Sequence, residues 1–273
     1  MDVWKSILKI LSSTMEMPGL YGAYHIIWFA VVIGLTVLAC LRGKYATEKK
    51  VRWVVFLTAV AVAICEVYKQ VVFTFGDGSG EPGFQWYAFP WQFCSTPMYI
   101  GLLTGIFRKG KVHDALCAYL ATYAVFAGTV VMIYPGDVYI DLIGINIQTM
   151  ICHGSMPVIG AYLLSSGHVK LQPRTILKAV PVFACCVGVA LVLNELAYSH
   201  GIGDFNMFFV SRHVECTLPV YSLVHNAVPF PLNLLIYILG FTAAAFIMLL
   251  IAMGIRHLAG NARHKAVASA SLT

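Results

Sequence analysis

Residues 22–41 read GAYHIIWFAVVIGLTVLACL, twenty positions without an Asp, Glu, Lys or Arg. A bilayer core about 30 Å thick is crossed by roughly 20 apolar residues rising 1.5 Å each, so this run is a transmembrane helix. Arg42, Lys44, Lys49, Lys50 and Arg52 follow it, and a second apolar run begins at Trp53. The same alternation continues along the chain. It predicts spans at 22–41, 53–75, 90–107, 113–134, 144–166, 176–198 and 231–255. The third is the shortest and least apolar, and reads as tilted or partly broken. The fold class is therefore all-α: a polytopic membrane bundle of about seven helices.

Composition agrees with this. Hydrophobic residues make up 59% of the 273 positions and charged residues 11%, against about 25% charged in a soluble domain. Mean hydropathy is +0.79. A chain with so few charges is solvated by lipid. The net charge of +6 does not point to nucleic acid, because the basic residues lie in short loops between apolar runs. Seven of the eight cysteines lie in or beside those runs, with only Cys216 in a long loop, so they read as small buried side chains rather than a disulfide scaffold.

Loop charges predict the orientation. The first basic loop is joined by Arg108, Lys109 and Lys111, by Lys170, Arg174 and Lys178, and by Arg256, Arg263 and Lys265 after the last span. The intervening loops hold Asp77, Glu81, Asp137, Asp141 and Asp204, with Arg212 their only Lys or Arg. This alternation predicts an odd number of spans, an outside N-terminus and a cytoplasmic C-terminus. The expected organisation is one transmembrane domain, 1–273. Residues 1–17 form an amphipathic interfacial helix with Trp4, Ile7, Leu8, Leu11 and Met15 on one face and Lys5, Lys9 and Ser12 opposite. Residues 18–256 form the bundle and 257–273 a basic, polar tail. No cleavable signal peptide, internal repeat or soluble domain is apparent.

Ionisable groups inside spans mark candidate sites, because hydrocarbon penalises them. Glu66, Lys69 and Gln70 lie in the second span, with Gln70 at i+4 and Lys69 at i+3 from Glu66. Gln92, Cys94, Ser95 and Thr96 open the third. Gln148 and His153 descend the fifth, Asn194 and Glu195 close the sixth, and His25 opens the first. All fall in the outer half of the membrane, while the inner half carries little beyond Ser and Thr. That asymmetry predicts a chamber open to the outer side. The long connection near 199–230 holds Asn206, Arg212, His213, Glu215 and His225. With Phe205, Phe208, Phe209 and Val210 it reads as a lid packed back on the membrane.

The strongest local signal is FPWQFCSTP, 89–97. Pro90 suits a first helical turn, which puts Cys94 where the helix dipole favours a thiolate. His153 is the natural base, and a Cys–His pair in a water-restricted pocket is the minimum equipment for acyl transfer through a thioester. Gln92, Gln70 or Asn194 are candidate oxyanion donors. Helix rise sets Cys94 about 6 Å and His153 about 14 Å below the outer face, a gap that tilt would have to close. Each residue also has a plainer reading: a small packing Cys, an interhelical His hydrogen bond, a Glu66–Lys69 ion pair that fixes packing, and hydroxyls that bond back to their own helix. A metal on His153, Cys152, Glu66 and Cys94 lacks any HxxxH, HExxH or CxxC spacing, so no metal and no cofactor is expected.

Four places carry a family resemblance: His25 with Trp28 and Phe29, Phe89 to Cys94, Cys152-His153-Gly154, and Asn206 to Phe209. Over residues 20 to 255 the chain resembles the YwaF-like integral membrane proteins. These are a bacterial group related to an animal transmembrane acyltransferase that makes polyunsaturated ether phospholipids. The resemblance implies Cys94 as acyl-accepting nucleophile and His153 as its base. Gln92 stands where many relatives have His, which bears on the proton path. The expected function is acyl transfer or hydrolysis on a phospholipid or other acyl lipid, in a bacterial cell membrane, with lipid as substrate and solvent. A solute or lipid transporter with an outward cavity near Glu66 and His153 is the alternative, and a sensor or assembly partner a third.

Overall fold

The computed structural model describes residues 3–76 and 81–270; Asp77, the first two residues and the last three lie outside it. Its helices, in chain order, are α1 (Val3–Leu11), α2 (Ala23–Gly43), α3 (Glu48–Phe75), α4 (Thr96–Ile106), α5 (Gly110–Leu120), α6 (Tyr123–Ile133), α7 (Ile143–Ser165), α8 (Thr175–Ser199), α9 (Tyr221–Ala227) and α10 (Phe230–Ala270). Among the described residues there is no strand, only an isolated bridge between Thr14 and Leu142.

Among the described residues, five helical segments are long and apolar enough to cross a membrane: α2, α3, the α5–α6 run over Gly110–Ile133, α8, and α10 as far as Asn261. Their outer faces explain why they need lipid. Ile27, Ile64, Leu177 and Leu239 each stand more than half exposed, and continuous apolar surface of this extent is not stable in water. The chain is an integral, multi-pass membrane protein.

Helix α7 has the length of a span, 23 residues, but more polar side chains. It is the central helix, packed against α2, α3 and α6, so its polar groups meet protein rather than hydrocarbon. Glycines allow this proximity. A Cβ at Gly154 would strike Val32 of α2, one at Gly160 would strike Val125 of α6, and one at Gly144 would strike the Tyr68 hydroxyl of α3. The third predicted span is short, as its composition foretold: the apolar helical run covers only Phe93–Ile106.

The predicted span 113–134 is two helices. Residues Ala121 and Thr122 break it, with Thr122 at φ −130°, ψ −77°. Irregular backbone at this depth survives only when buried in protein, and the residues from Leu116 to Ala124 are all buried. Thr122 Oγ1 donates to Ala118 O at 2.7 Å, taking up a carbonyl that the break leaves free.

The N-terminal helix is shorter than expected. It ends at Leu11 because residues 13–15 pair with 141–143 instead: Met15 N donates to Asp141 O at 2.8 Å and Ile143 N to Ser13 O at 3.1 Å. Trp4 packs edge-on against Phe75, and Tyr68 donates its hydroxyl to Leu11 O, which fastens α1 to α3. At the other terminus α10 continues as helix through much of the expected tail, to Ala270. The basic loops meet at one end of the bundle: Arg52 donates to Arg108 O at 3.4 Å, and Lys178 pairs with Asp114 at 3.0 Å.

Candidate functional site

The motif at 89–97 is held by a different neighbour at almost every residue. Trp91 Nε1 donates to Cys186 O of α8 at 3.2 Å. Gln92 is gripped by the loop before α9, its Nε2 donating to Asn206 O at 3.0 Å and its Oε1 accepting from Phe208 N at 2.9 Å. Phe93 enters an aromatic cluster with Phe126, Phe183, Phe208 and Phe241. The Thr96 hydroxyl donates to Phe93 O, so the Tyr119 hydroxyl, 2.6 Å away, must donate to Thr96. Cys94 lies in the 3₁₀ turn Phe93–Ser95 that leads directly into α4. Side chains on both sides of it are fastened elsewhere, and its thiol is left facing a crevice.

That crevice lies between α3, α4, the α5–α6 break and α7 and holds a cavity of about 30 Å³, room for a water molecule. Cys94, Pro97 and Met98 form one wall and Cys152, Ser155 and Met156 the opposite one. Of the fourteen lining residues only Thr58 and Ser155 carry a hydroxyl, and none is charged.

His153, on the helix that supplies Cys152 and Ser155, is buried and does not line the crevice. Its Nδ1 lies 2.8 Å from Thr149 O. A carbonyl can only accept, so Nδ1 bears the proton and the Nε2 of the neutral ring holds a lone pair. That Nε2 has no hydrogen-bond partner among the described residues. Pro157, inside α7 one turn later, has no N–H for the His153 carbonyl. Gly128 of α6 packs against that freed oxygen so closely that a Cβ at 128 would collide with it.

The other expected site residues are placed as follows. Glu66 pairs with Lys69 at 2.8 Å and accepts from Gln70 Nε2 at 2.8 Å, while Gln70 Nε2 also donates to Ala88 O. The charge of Lys69 acts on both Cys94 and His153. Gln148 Nε2 donates to Cys152 Sγ at 3.3 Å. Asn194 grips Met207 at both backbone groups, at 3.0 and 2.8 Å. Asn206 Oδ1 accepts from Ser211 N, and its Nδ2 donates to Val214 O and Glu215 O. Glu195 meets Arg212 and His213 at the exposed end of α8. His25 is satisfied twice, Nδ1 accepting from Tyr21 N and Nε2 donating to Met132 O at 2.9 Å. Thus Gln92, Asn194 and Asn206 secure the loop before α9, in which Met207 and Phe208 are wholly buried. Phe208 and Phe209 adopt φ near +60°, a strained conformation for such side chains that the bonds from Gln92 and Asn194 hold.

The end of the bundle with the basic loops is not dry, contrary to the expectation for the inner half. His113 and Cys117, one turn apart on α5, meet His168 from the turn after α7. Their three ligand-type atoms lie within 4.8 Å of one another. His113 Nε2 is 2.8 Å from His168 Nε2 and 3.5 Å from Cys117 Sγ. Burial, and then the neighbouring His113, push the His168 imidazole below its usual pKa, so it is neutral near pH 7. The signal was present as His113-Asp-Ala-Leu-Cys117. An H-x-x-x-C pair shares a helix face as an H-x-x-x-H pair does, but the third member, His168, lies 55 positions from His113.

The fold and this arrangement define a polytopic membrane protein with an apolar crevice walled by two cysteines. The chain belongs to the TMEM164 family, whose sequence profile matches residues 20–253. No curated protein and no solved structure matches the chain.

Proposed function

We propose that the chain is a membrane-embedded acyltransferase that moves a fatty acyl group from a phospholipid, or another acyl lipid, through a thioester on Cys94. In this reading the bundle has seven spans, with α7 and the short Phe93–Ile106 segment joining the five apolar ones. In the same reading the N-terminus is outside, the basic loops are cytoplasmic, and the membrane is that of a bacterial cell, as the resemblance to the YwaF-like proteins implies.

The observation that carries the proposal is the buried, unpartnered Nε2 of His153, on the helix whose Cys152 and Ser155 line the same crevice as Cys94. An imidazole lone pair without a partner loses the free energy of a hydrogen bond, and a thiol is a partner that supplies one. The Cys94 proton passes to His153 Nε2, and the thiolate attacks the ester carbonyl. The lyso-lipid alkoxide leaves with the proton from the imidazolium. A second lyso-lipid hydroxyl then returns a proton to His153 and takes the acyl group, which regenerates the thiol. Because the amides of Gln92 and Gln70 are engaged, backbone N–H groups around the 3₁₀ turn are the better oxyanion donors. The uncharged lining suits an acyl chain and disfavours a polar solute, which sets the transporter reading second.

The test is incubation of the purified protein in nanodiscs with a phospholipid labelled in its acyl chain. Hydroxylamine-labile label on Cys94 in the wild type, absent from Cys94→Ala, is expected. Equal label in Cys94→Ala would discard the assignment.

A further inference from the structure

The geometry points to a second site, independent of the crevice: His113, Cys117 and His168 bind one divalent transition-metal ion of the zinc class.

The donor set comes first. Two imidazoles and a thiol form an N₂S set suited to borderline-soft ions and unsuited to magnesium or calcium, which take oxygen ligands. The tautomer is also correct. His113 Nδ1 lies 2.7 Å from Phe107 O, so Nδ1 carries the proton and Nε2 offers its lone pair to the cluster. A second-shell carbonyl of this kind is the usual means of orienting a histidine ligand.

Without an ion the cluster is poorly matched. The single lone pair at His113 Nε2 faces two donors, the His168 N–H at 2.8 Å and the Cys117 thiol at 3.5 Å. One cation at their centre replaces both contacts. The thiol proton leaves to solvent, and the His168 proton moves from Nε2 to Nδ1. A tetrahedral ion with metal–nitrogen bonds near 2.05 Å and a metal–sulfur bond near 2.3 Å sets N···N at roughly 3.3 Å and N···S at roughly 3.5 Å. The Cys117 separation already fits, and the two histidines need to open by about half an ångström. Their rings are 87° apart in plane, so this opening does not break a stack.

The backbone holds the ligands in place. His113 and Cys117 are buried on α5. Gly167, at φ +74°, turns the chain after α7, and Val169 N donates to Leu163 O at 3.1 Å, which presents His168 to the pair. His168 is only half-buried, leaving a route for the ion and a fourth position for water. Charge is available nearby: Glu48 and Asp114 act on His168 together with Arg52, although Asp114 also pairs with Lys178.

The test uses the full chain in nanodiscs, stripped with chelator and titrated with cobalt(II). One ion per chain, tetrahedral d–d bands and a thiolate charge-transfer band in the near ultraviolet are expected, all displaced by zinc. Cys117→Ser should remove the charge-transfer band. His168→Gln keeps an N–H toward His113 and lies in a turn, so it preserves the fold where the Cys117 change does not. It should weaken cobalt binding by at least about tenfold. Absence of the bands in the wild type, or bands of equal strength and affinity in His168→Gln, would overturn the site. Neither readout depends on acyl transfer.

Discussion

The crevice at Cys94 and the cluster at His113 both present a cysteine, but they are built by opposite means. In the cluster, two of three residues share one helix turn, the atoms are in contact and no hollow separates them. At the crevice, Cys94 from α4's lead-in turn lines a cavity of about 30 Å³ together with Cys152 and Ser155 of α7, and the Nε2 of His153 on that helix is unpartnered. Contact without space is what an ion needs. An unpartnered lone pair is what the proposed base needs.

The sharpest way to break this contrast is His153→Ala. Loss of a general base lowers rates by a factor on the order of 10²–10⁴, so acylation of Cys94 should fall by that much while the cobalt spectrum of the cluster stays the same. An acylation rate within a few-fold of wild type would move the base elsewhere. Next is Gly128→Val, which drives a side chain into the His153 carbonyl and Pro157. It should destabilise the bundle by about 2–3 kcal/mol, visible as a lower unfolding temperature in detergent.

A smaller effect is expected from Gln92→Ala. It strands Asn206 O and Phe208 N inside the protein, at about 1–3 kcal/mol for buried unsatisfied groups. The loop before α9 should become sensitive to added protease while α8 and α10 stay intact. Smallest of all is Glu195→Gln at the exposed ion pairs with Arg212 and His213. Exposed pairs contribute little, and neither unfolding temperature nor Cys94 acylation should change measurably. A large loss would show that the pairs latch the loop over the crevice.

Much of the bundle was legible along the chain, because hydrocarbon imposes one rule on every lipid-facing residue. The runs at 22–41, 53–75, 176–198 and 231–255 correspond to α2, α3, α8 and most of α10. Where the rule weakens, so does the reading. The break at Ala121–Thr122 has no Pro or Gly to mark it, since protein around it, not sequence within it, satisfies the backbone. The roles of Gln92, Asn194 and Asn206 were also illegible: an amide that grips a loop 114 residues away looks the same in sequence as one poised over a substrate.

The amino-acid order by itself determined that this chain lives in lipid, how its apolar runs are punctuated, and that Cys94 and His153 are unusual for their surroundings. Those properties follow from transfer free energies and helix rise, which act residue by residue. Only the tertiary structure decided that His168 joins His113 and Cys117 and that Cys94 and Cys152 line one crevice. Helix faces separated by tens of residues come together through packing at glycines such as 128, 154 and 160, and packing is a property of pairs of helices that no single segment carries.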